Sequence, residues 1–226
     1  MIDPLFREQL ESCTLERYET EFADRHLLHG AIEKWARERP EQVAIHEFDT
    51  GLDFTYRRFD ELATAYALKL TELGYRPGDF LATMLPLLAE HIILEYACFK
   101  IGVVHAPLDL RLKAPEVVRS LGLIEARGFA FLGKTGAGDF GDVGRTVREQ
   151  CPYVKDFIQF TPPAETIEGA FPFETFAADA RRLSDAATGD ATNSVWKAYV
   201  AAHEAVRPTD GAQVIYTTGS TGFPKP

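Results

Sequence analysis

The chain has 226 residues and a formal net charge of −10, from 24 Lys and Arg against 34 Asp and Glu. Its 46% hydrophobic and 12% aromatic residues exclude wholesale disorder, and its length predicts about one and a half domains. The acidic balance argues against a general nucleic-acid binder. Three widely spaced cysteines predict a protein without disulfides. The lack of a signal peptide or a long apolar run predicts a soluble, cytoplasmic protein without a membrane span.

The first part of the chain alternates between helical and strand patterns. Residues 1–40 have the charge and spacing of a helical lead-in. A turn signal at 49–51 between two β-rich runs predicts a hairpin over 41–56. Apolar residues at helical spacing then predict an amphipathic helix over 57–74, which closes on a glycine.

The rest of the chain continues this alternation, with one exception. The exception is 161–195, which carries prolines and many small residues and is predicted to be irregular, with Asp179, Asp185 and Asp190 in a solvated loop. Strands alternating with helices predict an α/β fold with a mostly parallel sheet flanked by helices. The predicted strands are 78–86, 103–109, 128–133, 154–160 and 211–218, and the predicted helices are 86–102, 113–126, 146–150 and 193–206.

The strongest chemical signal lies at the end of the sequence, where a strand runs into a loop of hydroxyls and glycines that ends in a lysine. Glycines let the backbone approach an anion and turn its N–H groups toward it, and a lysine adds a point charge. Composition alone also fits a plain surface loop. The candidate binding residues are Thr217, Thr218, Gly219, Ser220, Thr221, Gly222 and Lys225.

This run resembles the phosphate-binding signature of the adenylate-forming (AMP-binding) superfamily, which includes acyl-CoA synthetases. Ten of eleven positions from Tyr216 onward match the pattern Tyr-Thr-Ser/Thr-Gly-Ser/Thr-Thr-Gly-x-Pro-Lys-Gly, and the departure is Pro226 in place of the last glycine. Segments 54–63, 74–79 and 99–112 resemble family landmarks in the expected order. Residues 134–207 match no such landmark.

The resemblance implies an acid–thiol ligase that uses ATP to convert a carboxylic acid into an acyl-adenylate and then transfers the acyl group to coenzyme A. It implies ATP, Mg²⁺ and coenzyme A as cofactors, and a small carboxylic acid as partner. No nucleic acid or membrane span is expected, and a homodimer is one allowed assembly. By motif match the phosphate-binding role falls to the seven residues above, and no catalytic or metal-binding residue is assigned.

The resemblance also implies how the chain is organised. All of 1–226 would be the N-terminal portion of the large AMP-binding domain, without the C-terminal domain. Its parts would be a lead-in over 1–40, a first α/β subdomain over 41–133, a variable region over 134–207, and a strand and phosphate loop over 208–226. Because the family's remaining motifs would follow residue 226, we expect the 226-residue chain alone to be inactive.

Two other readings stay open at this level. One is a truncated nucleotide- or acyl-binding module without catalysis. The other is a dinucleotide-binding protein using the glycines of 136–141, although Asp139 would repel a pyrophosphate there. The segment 128–135 formally satisfies the Walker A pattern, but its apolar residues predict a strand. The histidines show no metal spacing in sequence, and His105 and Cys98 are predicted to be packed core residues.

Overall fold

The computed structural model describes residues 14, 16, 17, 20, 27–136, 138–218 and 224–225. Its helices with full bounds are α1 (Leu28–Glu38), α2 (Tyr56–Glu72), α3 (Ala89–Lys100), α4 (Ala114–Ile124), α5 (Gly141–Gln150), α6 (Phe173–Ala187) and α7 (Ser194–Ala205). Its strands are β1 (Val43–Glu47), β2 (Leu52–Thr55), β3 (Phe80–Met84), β4 (Val104–Pro107), β5 (Gly128–Leu132), β6 (Lys134–Thr135), β7 (Gly138–Asp139), β8 (Asp156–Phe160), β9 (Phe171–Pro172), β10 (Thr217–Thr218) and β11 (Pro224–Lys225).

The centre of the fold is a five-stranded sheet with the order β4-β3-β5-β8-β9, in which every pair is parallel. Each strand reaches the next through a crossover that contains a helix or a longer connection, as parallel pairing requires. The predicted α/β class with a mostly parallel sheet is therefore confirmed.

Helices cover both faces of the sheet. Successive strand residues point to opposite sides, so each face presents side chains against which helices pack. Leu81, Ala130 and Ile158 pack in the cluster that also contains buried residues of α2, α3, α6 and α7. Ala82 and Phe129 face the other way, into a second cluster with residues of α4 and α5. The central strands thus contribute side chains to two separate cores.

The predicted hairpin is confirmed as an antiparallel β1–β2 pair, and its turn contains Gly51 at a φ of +69°. The next helix begins directly after it, with the Thr55 hydroxyl accepting a hydrogen bond from the Arg58 amide at 3.2 Å. The position three residues after the cap is an arginine, so the carboxylate half of a capping box is missing.

The prediction that Pro86 stands in the first turn of a helix is wrong, since α3 begins only at Ala89. The Pro86 carbonyl instead accepts hydrogen bonds from the Leu88 amide at 2.9 Å and from the His91 ring at 3.0 Å. The Ala89 amide donates to the Glu47 carboxylate at 3.1 Å, so a side chain from the hairpin caps this helix.

The prediction that 161–195 is irregular is also wrong, because it contains α6 and the short strand β9. The buried face of α6 carries Phe176, Ala177 and Ala180, and the Phe176 ring lies 5.6 Å from that of Tyr66 on α2. Asp179 and Asp185 therefore lie on a helix rather than in a loop. An alanine-rich face hides the helical pattern, since alanine is a weak hydrophobic marker.

Two further elements differ from prediction. The helix expected over 146–150 begins earlier, at Gly141, and the strand expected over 211–218 is reduced to one parallel bridge between Gln213 and His105 before β10. Within the described part of the chain, no helix combines the length and apolar character needed to cross a bilayer.

Candidate phosphate-binding site

The candidate site lies at the edge of the sheet where the parallel strands end, which is called the carboxyl edge below. Ligands of open α/β sheets bind outside this edge, near the point where the strand order reverses. In this sheet the order reverses beside β3, which has β4 on one side and β5 on the other.

Residues 212–214 run alongside β4 and lead the chain toward the carboxyl edge. The His105 amide donates to the Ala212 carbonyl at 3.0 Å, and the Val214 amide donates to the His105 carbonyl at 2.9 Å. Because the bridge is parallel, the segment leaves the sheet in the direction in which β4 ends. The residues after Val214, which begin the glycine- and hydroxyl-rich run, therefore start at this edge.

A short antiparallel hairpin, β10–β11, then carries both ends of the predicted loop. Thr217 is paired with Lys225, and Thr218 with Pro224. The hairpin thus brings the hydroxyl-bearing start of the loop opposite its lysine end. The other predicted site residues lie outside the described residues: Gly219, Ser220, Thr221 and Gly222.

Tyr216 anchors this segment to the body of the protein. Its hydroxyl donates a hydrogen bond to the Ser120 carbonyl of α4 at 2.8 Å, and its ring packs against the second core. Burial raises the pKa of Tyr216 from 10 to about 12, so the hydroxyl remains a hydrogen-bond donor further into the alkaline range. The sequence offered Tyr216 only as a motif residue, and the structure gives it a positioning contact one residue before the loop.

Sequence reasoning missed a polar chain that holds the same segment from the other side. His105 is buried, as predicted, with 1% of its surface exposed, but it is hydrogen-bonded rather than merely packed. Its Nε2 lies 2.9 Å from the Thr83 hydroxyl, which lies 2.9 Å from His91 Nε2. The Gln213 amide nitrogen lies 3.2 Å from His105 Nδ1 and donates to the Glu95 carboxylate at 2.6 Å.

The donor and the acceptor in each of these hydrogen bonds can be assigned by starting from the Pro86 carbonyl. The Pro86 carbonyl can only accept, so Nδ1 of His91 carries the proton and Nε2 of the neutral ring accepts from Thr83. Thr83 then accepts from His105 Nε2, which leaves His105 Nδ1 to accept from Gln213. This assignment of donors and acceptors satisfies every partner. The hydrogen-bonded partners are 5 to 118 positions apart, so no local motif could have revealed the whole set.

The described residues of the two rival segments, 128–135 and 136–141, do not form anion sites. Residues Gly128–Leu132 of the Walker-like pattern are strand β5, as predicted, and cannot wrap a phosphate. In the glycine segment 136–141, the Asp139 carboxylate accepts a hydrogen bond from the Gly141 amide at 2.9 Å, at the start of α5. A carboxylate already occupies the helix N-terminus that a pyrophosphate would need.

The expectation that the histidines lack metal spacing holds in the sequence but not in space. His29, Glu33 and His203 offer ligand atoms that all lie within 4.8 Å of one another. Cys98 and Cys151 are free and buried, and burial raises the pKa of the Cys98 thiol, which confirms the prediction that it is unreactive packing.

Comparison with known proteins places these features in a family. A family model described as "AMP-binding enzyme" matches residues 32–226. The chain is 26% identical over 207 residues to malpibaldin synthetase of Mortierella alpina, covering 92% of this chain and 3% of that protein. It is 24% identical over 216 residues to a putative acyl-CoA synthetase of Bacillus subtilis, covering 88% of this chain and 37% of that protein.

Among solved structures, a fatty acyl CoA synthetase of Mycobacterium tuberculosis aligns with a TM-score of 0.64 and 24% identity. The alignment covers 88% of this chain and 33% of that one, and at this identity it shows the shared fold alone. The chain thus spans little more than a third of the Bacillus relative and about a third of the mycobacterial structure.

Proposed function

This chain belongs to the AMP-binding enzyme family, and we propose that it supplies the polyphosphate-binding part of an enzyme that activates a carboxylic acid with ATP. In that reaction a carboxylate oxygen attacks the α-phosphorus of ATP. The bond between the α-phosphorus and the bridging oxygen breaks, which gives an acyl-adenylate and pyrophosphate. A thiol, which we propose is that of coenzyme A, then attacks the acyl carbon and releases AMP.

The observation that carries the proposal is the β10–β11 hairpin at the carboxyl edge, with Thr217 opposite Lys225. In the sequence from residue 211 to residue 226 the lysine is the only charged side chain, so no carboxylate adjacent in sequence competes for it. Hydroxyls and glycine amides would donate to phosphate oxygens, and the lysine would offset the charge that develops on the leaving pyrophosphate.

The donor set fits ATP better than the other groups implied for the whole enzyme. Hydroxyls, backbone amides and an ammonium are ligands for phosphate, whereas Mg²⁺ prefers carboxylates and water. No carboxylate occurs from residue 211 onward, and no residue of this chain is assigned to Mg²⁺ or to coenzyme A. The Mg²⁺ would screen the phosphate charges when bound, while the loop residues position the polyphosphate.

The first test concerns the 226-residue chain alone, for which we expect no ATP–pyrophosphate exchange with any of a panel of fatty, aromatic and amino acids. The family's relatives are far longer, and the residues assigned here bind phosphate without supplying a pocket for the acid. Detectable exchange, at a rate proportional to protein concentration, would overturn this part of the proposal. ATP binding without exchange in any longer form would favour a binding module instead.

The second test addresses the loop, in a polypeptide that continues this reading frame to the length of its relatives. Lys225→Ala should lower kcat/KM for ATP about tenfold or more, because a charge-assisted contact to phosphate is lost. The matched control is Lys134→Ala, which removes the exposed lysine of the Walker-like segment and should change nothing. Equal loss in both variants, or loss in the control alone, would contradict the assignment.

The dinucleotide alternative has its own test in the short chain. NADH binding that a Gly138→Val substitution abolishes, and that Lys225→Ala leaves intact, would favour it. The Asp139 contact with the Gly141 amide makes us expect no NADH binding.

A further inference from the structure

A second polar cluster, separate from the hairpin, lies where α1, α3 and α7 meet. His29 and Glu33 stand four residues apart on one face of α1, and His203 comes from the last turn of α7. The ligand atoms of these three residues all lie within 4.8 Å of one another. The rings of His29 and His203 are 4.8 Å apart between centroids. This grouping joins residues 170 or more positions apart in the chain, and the proposed activation chemistry makes no use of it.

The end of α3 holds both imidazoles in a set orientation. His203 Nδ1 lies 3.0 Å from the Lys100 carbonyl, and since a carbonyl only accepts, Nδ1 carries the proton. The other nitrogen, Nε2, is left as an acceptor 3.5 Å from a Glu33 oxygen. His29 makes a corresponding hydrogen bond to the backbone of Phe99. Backbone carbonyls that fix the far nitrogen of a histidine are the usual outer-shell partners of metal-binding imidazoles.

We propose that His29, Glu33 and His203 form a binding site for one divalent transition-metal ion of the zinc class. Two imidazole nitrogens and one carboxylate oxygen are a common ligand set for Zn²⁺, with a fourth position left to water. At metal–ligand distances of about 2.1 Å the ligand atoms of a tetrahedral site are about 3.4 Å apart. Small side-chain rotations would bring the three atoms to that separation.

A cation can reach this place from solvent. An open cavity of about 360 Å³ borders the cluster and gives an ion a path from solvent, with Glu204 and Arg37 also at its wall.

The ammonium group of Lys100 also lies beside this cluster and carries a positive charge. It is buried, lying 2.5 Å from Glu33 Oε1 and 2.8 Å from Asp60 Oδ1, so two carboxylates share one positive charge. With Glu204 and Arg37 included, the group of charges keeps a net excess of one negative charge. Asp60 can hold the ammonium while Glu33 turns its other oxygen to the metal. A purely structural ion pair is the competing outcome of the test.

The test uses the 226-residue chain, stripped with a chelator and titrated with Zn²⁺ in a calorimeter. We expect one equivalent of Zn²⁺ to bind, with affinity at least about tenfold lower in His29→Gln and in His203→Gln. The matched control is His46→Gln, which removes an exposed histidine that pairs with Asp53. Absence of binding, or an affinity lowered as much in the control as in the two variants, would overturn the proposal.

Two measurements guard against variants that fail to fold. Zn²⁺ should raise the midpoint of thermal unfolding of the unmodified chain. It should raise that of Glu33→Gln less, because an amide is a weaker ligand than a carboxylate. In the unmodified chain, bound Co²⁺ should shift and broaden the ring resonances of His29 and His203. Perturbation of the His91 and His105 resonances instead would place the ion elsewhere and refute the site.

Discussion

At the scale of single residues, the hydrogen bonds that link Pro86, His91, Thr83, His105 and Gln213 depend on a neutral His91. His91 donates through Nδ1 to the Pro86 carbonyl and accepts through Nε2 from Thr83. A second proton on His91 would place its Nε2–H 3.3 Å from Nε2 of His105, which already carries a proton, so that two N–H donors would face each other. Protonation would therefore disrupt the contacts that hold residues 212–214 against β4.

Because His91 is neutral in the folded protein, the free energy of unfolding should depend on pH. Burial lowers the pKa of His91 below its ordinary value of 6.5, an effect reinforced by His105 and opposed by the Pro86 carbonyl and Glu95. The unfolded chain therefore binds more protons than the folded one below pH 6.5. The stabilising contribution is fully present above that pH and is lost as the pH falls through the folded-state value.

We expect urea denaturation to show less stability at pH 5.5 than at pH 7.5, and His91→Gln to reduce that difference. The comparison between variants removes the contributions of other groups that titrate in the same window. His46→Gln is the control, because its ring is exposed at the surface. An unchanged pH dependence in His91→Gln would show that the ring is not held neutral by its surroundings.

At the scale of elements, the attachment of 212–214 to β4 rests on two backbone hydrogen bonds and on the side chain of Gln213. We predict that Gln213→Ala will destabilise the chain by about 1–2 kcal/mol, because its partly exposed hydrogen bonds to the Glu95 carboxylate and to His105 are both lost. Its larger effect should be local, with faster hydrogen exchange at the His105 and Val214 amides. Thr209→Ala, at an exposed neighbouring position, should leave both rates unchanged. Equal acceleration throughout β3, β4 and β5 would point to global unfolding instead.

The helix α5 gives a second prediction at this scale, in which packing opposes helix propensity. Alanine is better than glycine in a helix by about 1 kcal/mol. At Gly144, however, an added Cβ would stand 2.4 Å from the Phe131 ring and 3.1 Å from Ile167. Overpacking of this kind costs about 1–3 kcal/mol, so Gly144→Ala should lower the free energy of unfolding despite the propensity gain.

Gly136→Ala is the control for this substitution, since nothing lies within 4 Å of a Cβ built there. Chemical denaturation should find Gly136→Ala nearly neutral. A stabilised Gly144→Ala would show that the ring of Phe131 moves aside at little cost.

The elements also show how far the sequence alone could lead. The strands β3, β4, β5 and β8 were predictable, because each is a short buried run between turn signals and amphipathic helices. The helix α6 was not, because its buried face is largely alanine and 161–195 contains prolines. The polar clusters were out of reach, since His29 and His203 meet only once α1, α3 and α7 have packed. Motif matching predicted the candidate loop, and the structure adds the contacts of Tyr216 and Gln213 that position its start.

At the scale of the whole molecule, the sheet couples two cores that share no helix. Leu81 and Ala130 contribute to the core with α2, α3, α6 and α7, while their strand neighbours Ala82 and Phe129 contribute to the core with α4 and α5. Neither core can lose its packing without disordering strands that the other requires. The described body of the chain should therefore unfold as one cooperative unit.

Both tryptophans lie on the same side of the sheet, so their fluorescence allows this cooperative unfolding to be tested. Trp196 packs against the first core, and Trp35 lies on α1 beside Tyr56, so their fluorescence reports on that side of the sheet. Gly144→Ala places its lesion on the opposite face, against Phe131. We predict that it will shift the urea midpoint of tryptophan fluorescence and that of far-UV circular dichroism by the same amount. If the circular dichroism midpoint fell while the fluorescence midpoint stayed in place, the two faces would be independent folding units, and the sheet would not transmit a packing defect from one core to the other.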